Sequence, residues 1–346
     1  MRTATQGLPI GTLGWPGARV AGAQDEGMTH SPHSTTVAAL AVLAASAIAA
    51  TPAAASIPVE SLVAATPAAA YDGTAMWSRL DPVTGRYLLV RSVDGGAPTQ
   101  VAVPERDGAF DVDLGSNRSG NTYAVYTRNG DIYRLNPRTA VETRLVKLSS
   151  PDRVERDPTI QRGRIAFLRR VGGMDELRIG DTTTGAKGTR LLLERKHIQG
   201  VELGIGQVAW VDSVKTRAPS SRQRVHVRNI ASGRDHVVYV AGSGGASFSV
   251  VTKPSFTADL SSFIWARSRI GTAGSRIVRY ALRTGKLSYA QGTPRYASVA
   301  WINDELGAVV SSSMIAGLGS EDACVDANTQ YCSIQYTGPL TFNLKP

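Results

Sequence analysis

The chain has few of the residues that usually carry chemistry. It holds two cysteines and five histidines in 346 residues, and no Cys or His pair has metal-ligand spacing. No G-x-S-x-G motif occurs, which excludes a serine nucleophile on a strand-to-helix elbow. The nearest stretch, "GSGGASFS" at 242–249, reads as a loop between repeats. No apolar run reaches the roughly 20 residues of a spanning helix. Lysine is scarce: 7 Lys stand against 31 Arg, so the formal charge of +10 is carried mostly by guanidinium groups. These charges are scattered rather than run together. A basic balance of this kind suits an anionic partner or simply a solvated surface. At 42% apolar and 19% charged residues, the composition is that of a chain with a sizeable core and not of a disordered one.

What is present begins with an apolar run of fourteen at 37–50, "VAALAVLAASAIAA". Thr51-Pro52 and the small-residue site Ala53-Ala54-Ala55 follow, the pattern of a secretory signal cleaved after Ala55. Ala68-Ala69-Ala70 is the alternative site. No Lys or Arg lies between Met28 and the run, so Met28 is a candidate start and the residues before it a non-structural extension. The expected organisation is an extension and signal over 1–55 and one domain over 56–346, with no transmembrane helix in the mature chain.

That domain is repetitive. In "TYAVYTRNGDIYRLN", 122–136, side chains alternate on both flanks of Asn129-Gly130, a pair suited to a two-residue type I′ turn. "FDVDLG" precedes this hairpin and a Pro-containing turn leads on to 142–147, giving four short strands. A triplet of two apolar residues and a bulky one marks the second strand of each unit. It ends at Trp77, Tyr126, Phe167, Trp210, Trp265 and Val310. Six units of this length predict an all-β fold, a six-bladed β-propeller of four-stranded antiparallel blades. The blades are expected at 56–107, 108–149, 150–195, 196–242, 243–292 and 293–346. The first innermost strand is expected within 63–72, and "LTFNLK" at 340–345 as the outermost strand of the last blade.

"FDVDLG", "GNTYAVYTR" and "GDIYRLNPRT", echoed by "RGRIAFLRR" and "SRIVRYALRTGK", resemble the TolB-like six-bladed propellers of secreted bacterial proteins. The resemblance spans 56–346. It implies a periplasmic or extracellular binding scaffold and carries over no catalytic residue.

Candidate site residues follow from the repeat. Two positions beyond the bulky residue stand Arg79, Arg128, Arg169, Asp212, Arg267 and Ser312, on one face of the strand at equivalent heights. Arg79, Arg128, Arg169 and Arg267 are therefore candidate contacts for carboxylate or phosphate groups. The competing reading has each Arg lay its stem on the aromatic residue and pair with an acid. Asp111 and Asp113 point the same way and face either the channel or a neighbouring blade. Their D-x-D-x-G spacing narrowly misses a Ca²⁺ loop, and no metal or other cofactor is expected. His197, His226 and His236 read as structural or surface residues. Cys324 and Cys332 are expected to form a disulfide in an exported chain. The function these features favour is a secreted, monomeric, non-catalytic propeller. It would recognise a protein or an anionic cell-envelope polymer, with no specific nucleic-acid ligand. The alternative is an exported hydrolase or lyase acting on glycans, with carboxylates at the channel mouth.

Overall fold

The computed structural model describes residues 56–182, 188–215, 221–241, 249–269, 275–292, 295–313, 325–326, 329–330 and 332–344. The expected extension and signal over 1–55 lie outside them. Alternation of side chains sets the strands, and among the described residues antiparallel pairing gathers them into six larger sheets, blades I to VI, and one separate two-stranded pair, Val325–Asp326 with Thr329–Gln330. Blade I holds Ala68–Tyr71, Thr74–Leu80, Tyr87–Val93 and Thr99–Gln100. Blade II holds Asp113–Ser116, Thr122–Arg128, Asp131–Leu135 and Glu142–Arg144. Blade III holds Glu155–Gln161, Arg164–Val171, Met174–Asp181 and Arg190–Arg195. Blade IV holds Ile198–Leu203, Gln207–Lys215, Ser221–Asn229 and Asp235–Val240. Blade V has a split innermost strand, Ser249–Val251 and Ser255–Phe256, then Ser262–Arg269, Ser275–Ala281 and Lys286–Gly292.

Blade VI closes the ring. Its innermost strand Arg295–Asn303 is followed by Gly307–Ser313 and Cys332–Tyr336, and its outermost strand is Ile57–Leu62. The pairing runs antiparallel from Ile57↔Tyr336 to Leu62↔Cys332, with a bulge between Pro58 and Glu60 that accommodates the proline. This corrects the expectation for both ends of the domain. Residues 57–62 belong to the last blade and not the first. "LTFNLK" does not complete blade VI, because that edge is already taken. Its described part, 340–344, meets the edge of blade V instead, where Asn343 and Tyr289 exchange two backbone hydrogen bonds. Leu340 and Phe342 there pack on the core between blades V and VI.

The triplet has a physical explanation in the gaps between blades. Successive side chains of a strand face opposite ways. Met76 joins Phe110, Tyr126 and Leu135 between blades I and II, while Trp77 joins Val90, Ile334 and Tyr336 between blades VI and I. The same holds for Val125 against Tyr126 and for Ala209 against Trp210. A blade thus sends its bulky residue toward the preceding neighbour. Trp77, Tyr126, Phe167, Trp210 and Trp265 are all fully buried. The hairpin in blade II forms as its sequence dictates: Asn129 and Gly130 have φ of 54° and 81°, and Arg128 pairs with Asp131.

A polar layer stitches the innermost strands together around the channel. Ile160 N–H donates to Asp113 Oδ2 at 3.1 Å, Leu203 N–H to Thr159 Oγ1 at 3.0 Å, and Trp301 N–H to Ser255 Oγ at 3.1 Å. Each bond runs from one blade to the side chain of the blade before it.

Candidate functional site: a basic cleft beside a charged channel

The four candidate arginines stand at equivalent positions of four blades, and three of them, Arg79, Arg128 and Arg169, are already engaged in ion pairs. Arg79 forms an ion pair with Glu60 of the closing strand, to which Trp77 Nε1 also donates at 2.6 Å. Arg128 grips Glu142 with both prongs, at 2.9 and 2.7 Å, and lies 4.0 Å over the Tyr133 ring. The Tyr126 hydroxyl donates to the same Glu142. Arg169 bonds Glu155 at 2.8 Å and the Leu148 carbonyl at 2.9 Å. Arg267 lies near Tyr239, where its charge partly offsets the burial that raises that hydroxyl. In blade IV the polarity is reversed. Asp212 takes two bonds from Arg224, at 2.8 and 2.6 Å, and faces His226 Nε2 at 3.1 Å. Burial opposes the Asp212 charge, but His226 and Arg224 outweigh it and hold this carboxyl well below the usual range.

Arg128 also lines a cleft of about 470 Å³ between blades I and II, where Arg86 and Arg106 meet it. The turn Asn129–Gly130 follows Arg128 and places Asn129 in the cleft wall. Arg106 is fixed by a two-way backbone bridge to Tyr87 and donates from its side chain to the Thr127 carbonyl. Arg86 is the loosest of the three. Its side chain is 47% exposed, it donates to the Glu105 carbonyl at 2.9 Å, and its carboxylate neighbours Glu105 and Asp107 stand 3.9 and 3.8 Å away. Sequence reasoning missed Arg86 and Arg106. Both sit in links between strands, where no period marks them.

The axial channel is built by bulges. In the innermost strands of blades III and IV the register slips between Arg156 and Thr159 and between Gln199 and Glu202. In blade V the strand breaks at the matching place, around Lys253. The bulge residues are Asp157 (φ 48°), Gly200 (φ 61°) and Lys253. Lys253 Nζ lies 2.7 Å from Asp113 Oδ1 of blade II and 3.3 Å from Glu202 Oε2 of blade IV. Burial disfavours its charge, but the two carboxylates outweigh that and hold it above the usual lysine range. Burial, with Asp113 adding repulsion, pushes Glu202 well above the usual carboxylate range. Asp111 is engaged by Thr127 and Asp157: it accepts from Thr127 N at 2.8 Å, Thr127 Oγ1 at 2.6 Å and Asp157 N at 3.1 Å.

The three histidines divide. His197 and His236 are exposed, as a surface role requires. His226 is 1% exposed, stacks on Trp210 at 4.8 Å, and has its ring nitrogens facing Asp212 and Asp235. Cys332 is buried in blade VI, and Cys324 lies outside the described residues. Among the described residues no helix is long and apolar enough to cross a membrane.

No protein-family model matches the chain, and no curated protein does. Solved structures share its fold. An oligogalacturonate lyase in complex with manganese superposes with a TM-score of 0.52 at 11% identity, covering 80% of this chain and 90% of that one. The oligogalacturonate lyase of Vibrio parahaemolyticus gives 0.51 at 8% identity, over 76% and 73%. TolB from Acinetobacter baumannii gives 0.49 at 12% identity, over 78% and 65%. At these identities the likeness shows the fold alone.

Proposed function

We propose that this protein is an exported, non-catalytic binding propeller that recognises an anionic group on a protein or cell-envelope polymer through the cleft between blades I and II. The carrying observation is the meeting of Arg86, Arg106 and Arg128 at one opening, with Arg86 half exposed, held by one backbone carbonyl and only long contacts to carboxylates. A guanidinium in that state can exchange a 3.8–3.9 Å contact for a two-pronged bond to an incoming carboxylate or phosphate. Arg128, clamped to Glu142, lends field more than a bond. The carboxylates Asp111 and Asp113 are occupied by backbone amides and Lys253, which supports binding over glycan cleavage.

The test is binding to a defined polyanion, polyglutamate, at rising salt. The expected result is measurable binding that weakens with salt, as screening of exposed charges requires, and that Arg86→Gln lowers several-fold. Binding equal in wild type and Arg86→Gln contradicts the assignment of the cleft.

A further inference from the structure

We propose that Lys253 is a proton-linked tie across the axial channel, joining blade V to blades II and IV. The geometry carries this. Blades II and V stand opposite each other in a ring of six, and Lys253 Nζ reaches Asp113 at 2.7 Å across it. The same ammonium lies 3.3 Å from Glu202. The approach is built into the backbone. A Cβ on Gly200 would stand 2.9 Å from Lys253 Cα, so the residue beside the tie has no side chain, and its φ of 61° suits glycine. Asp113 is held from its other oxygen by Ile160 N–H, and Glu202 receives Thr159 Oγ1 at 3.4 Å. The tie is therefore anchored to the innermost strands of blades II, III, IV and V.

The proton link follows from the charges that meet there. Asp111 and Asp113 come from blade II, Arg156 and Asp157 from blade III, and Glu202 from blade IV. With Glu202 protonated, Lys253 and Asp113 balance one another. Once Glu202 ionises, a second negative charge stands beside Asp113, and blades II and IV repel at the tie. Glu202 binds its proton more tightly folded than unfolded. Its contribution to stability is thus full below the ordinary glutamate range and is lost as pH rises through its folded-state titration.

Two variants test the tie. Melting temperatures of wild type and Glu202→Gln are compared from pH 4 to 9. The expected result is that wild type loses ground steadily to the variant as pH rises. A constant difference across that range overturns the proton link. Lys253→Met should lower the melting temperature by on the order of 5–10 °C, because it leaves buried carboxylates without their cation. It should also speed hydrogen exchange at the Ile160 amide, two blades away. Unchanged Ile160 exchange relative to amides of blade VI overturns the cross-channel role. If Lys253→Met does not fold, Asp113→Asn is measured in its place with the same two readouts.

Discussion

The gaps between the blades and the channel they enclose follow opposite rules. In the gaps one motif recurs: the middle residue of each triplet turns to the next blade and the bulky one to the preceding blade, all at or near zero exposure. On the innermost strands, the residues paired with the middle of each triplet are Ala69, Asp113, Thr159, Glu202, Ser255 and Ala300: two alanines, two hydroxyls and two carboxylates. Repetition serves burial, since each blade must solve the same packing problem. Variation serves what is particular to this chain, here a charge cluster centred on Lys253.

The largest effect should come from breaking the repeated side. Trp77→Ala removes a fully buried indole and its bond to Glu60 on the closing strand. Destabilisation of about 3–5 kcal/mol is expected in denaturant unfolding. Comparable loss from Thr159→Ser in the channel would erase the contrast.

Next comes the arginine staple. Arg169→Gln leaves Glu155, whose side chain has no exposed surface, without its cation. The expected cost is about 3 kcal/mol by the same measurement. Burial already pushes the Glu155 carboxyl up, ahead of the opposing bond from Arg169.

A Cys324–Cys332 bridge, as the sequence leads one to expect, would close a short loop and contribute about 2.5 kcal/mol on the chain-entropy model. Intact mass with and without reductant checks it. Equal masses, with two alkylatable thiols in the untreated protein, rule the bond out.

Smaller still is a contrast in pH. Asp212, held low by His226 and Arg224 against the pull of burial, stabilises above the ordinary aspartate range and loses that contribution as pH falls through it. Glu202 has the opposite sign. Asp212→Asn should therefore flatten the acid limb of the stability profile, and Glu202→Gln the neutral-to-alkaline limb. If both variants alter the same limb, the assignment of the two carboxylates fails.

The sequence made the repeated side plain because period two and a fixed unit length are local signals. Every triplet, the Asn129-Gly130 turn and the innermost strand Ala68–Tyr71 could be read in advance. Ring closure could not. Ile57–Leu62, with Pro58 inside it and a signal-like stretch before it, finds its partner at the far end of the chain, and nothing local marks that pairing. Lys253 was equally hidden. In "VTKPSF" it looks like a solvated lysine before a proline, and only the bulge and the opposite blade turn it inward. The regular Arg positions were visible, but Glu60 and Glu142 lie on outermost strands and Glu155 on an innermost one, so the engagement of Arg79, Arg128 and Arg169 was not.

On the proposed reading the exposed Arg86 of the cleft recognises anions, while Arg169, at one of the equivalent positions, holds its blade through Glu155. The most direct measurement sets Arg86→Gln beside Arg169→Gln, each assayed for polyglutamate binding and for melting temperature. A crossed result is expected: Arg86→Gln weakens salt-sensitive binding several-fold with the melting temperature nearly unchanged, and Arg169→Gln lowers the melting temperature with binding retained by the folded protein. Binding lost equally in both, or in Arg169→Gln alone, would contradict it.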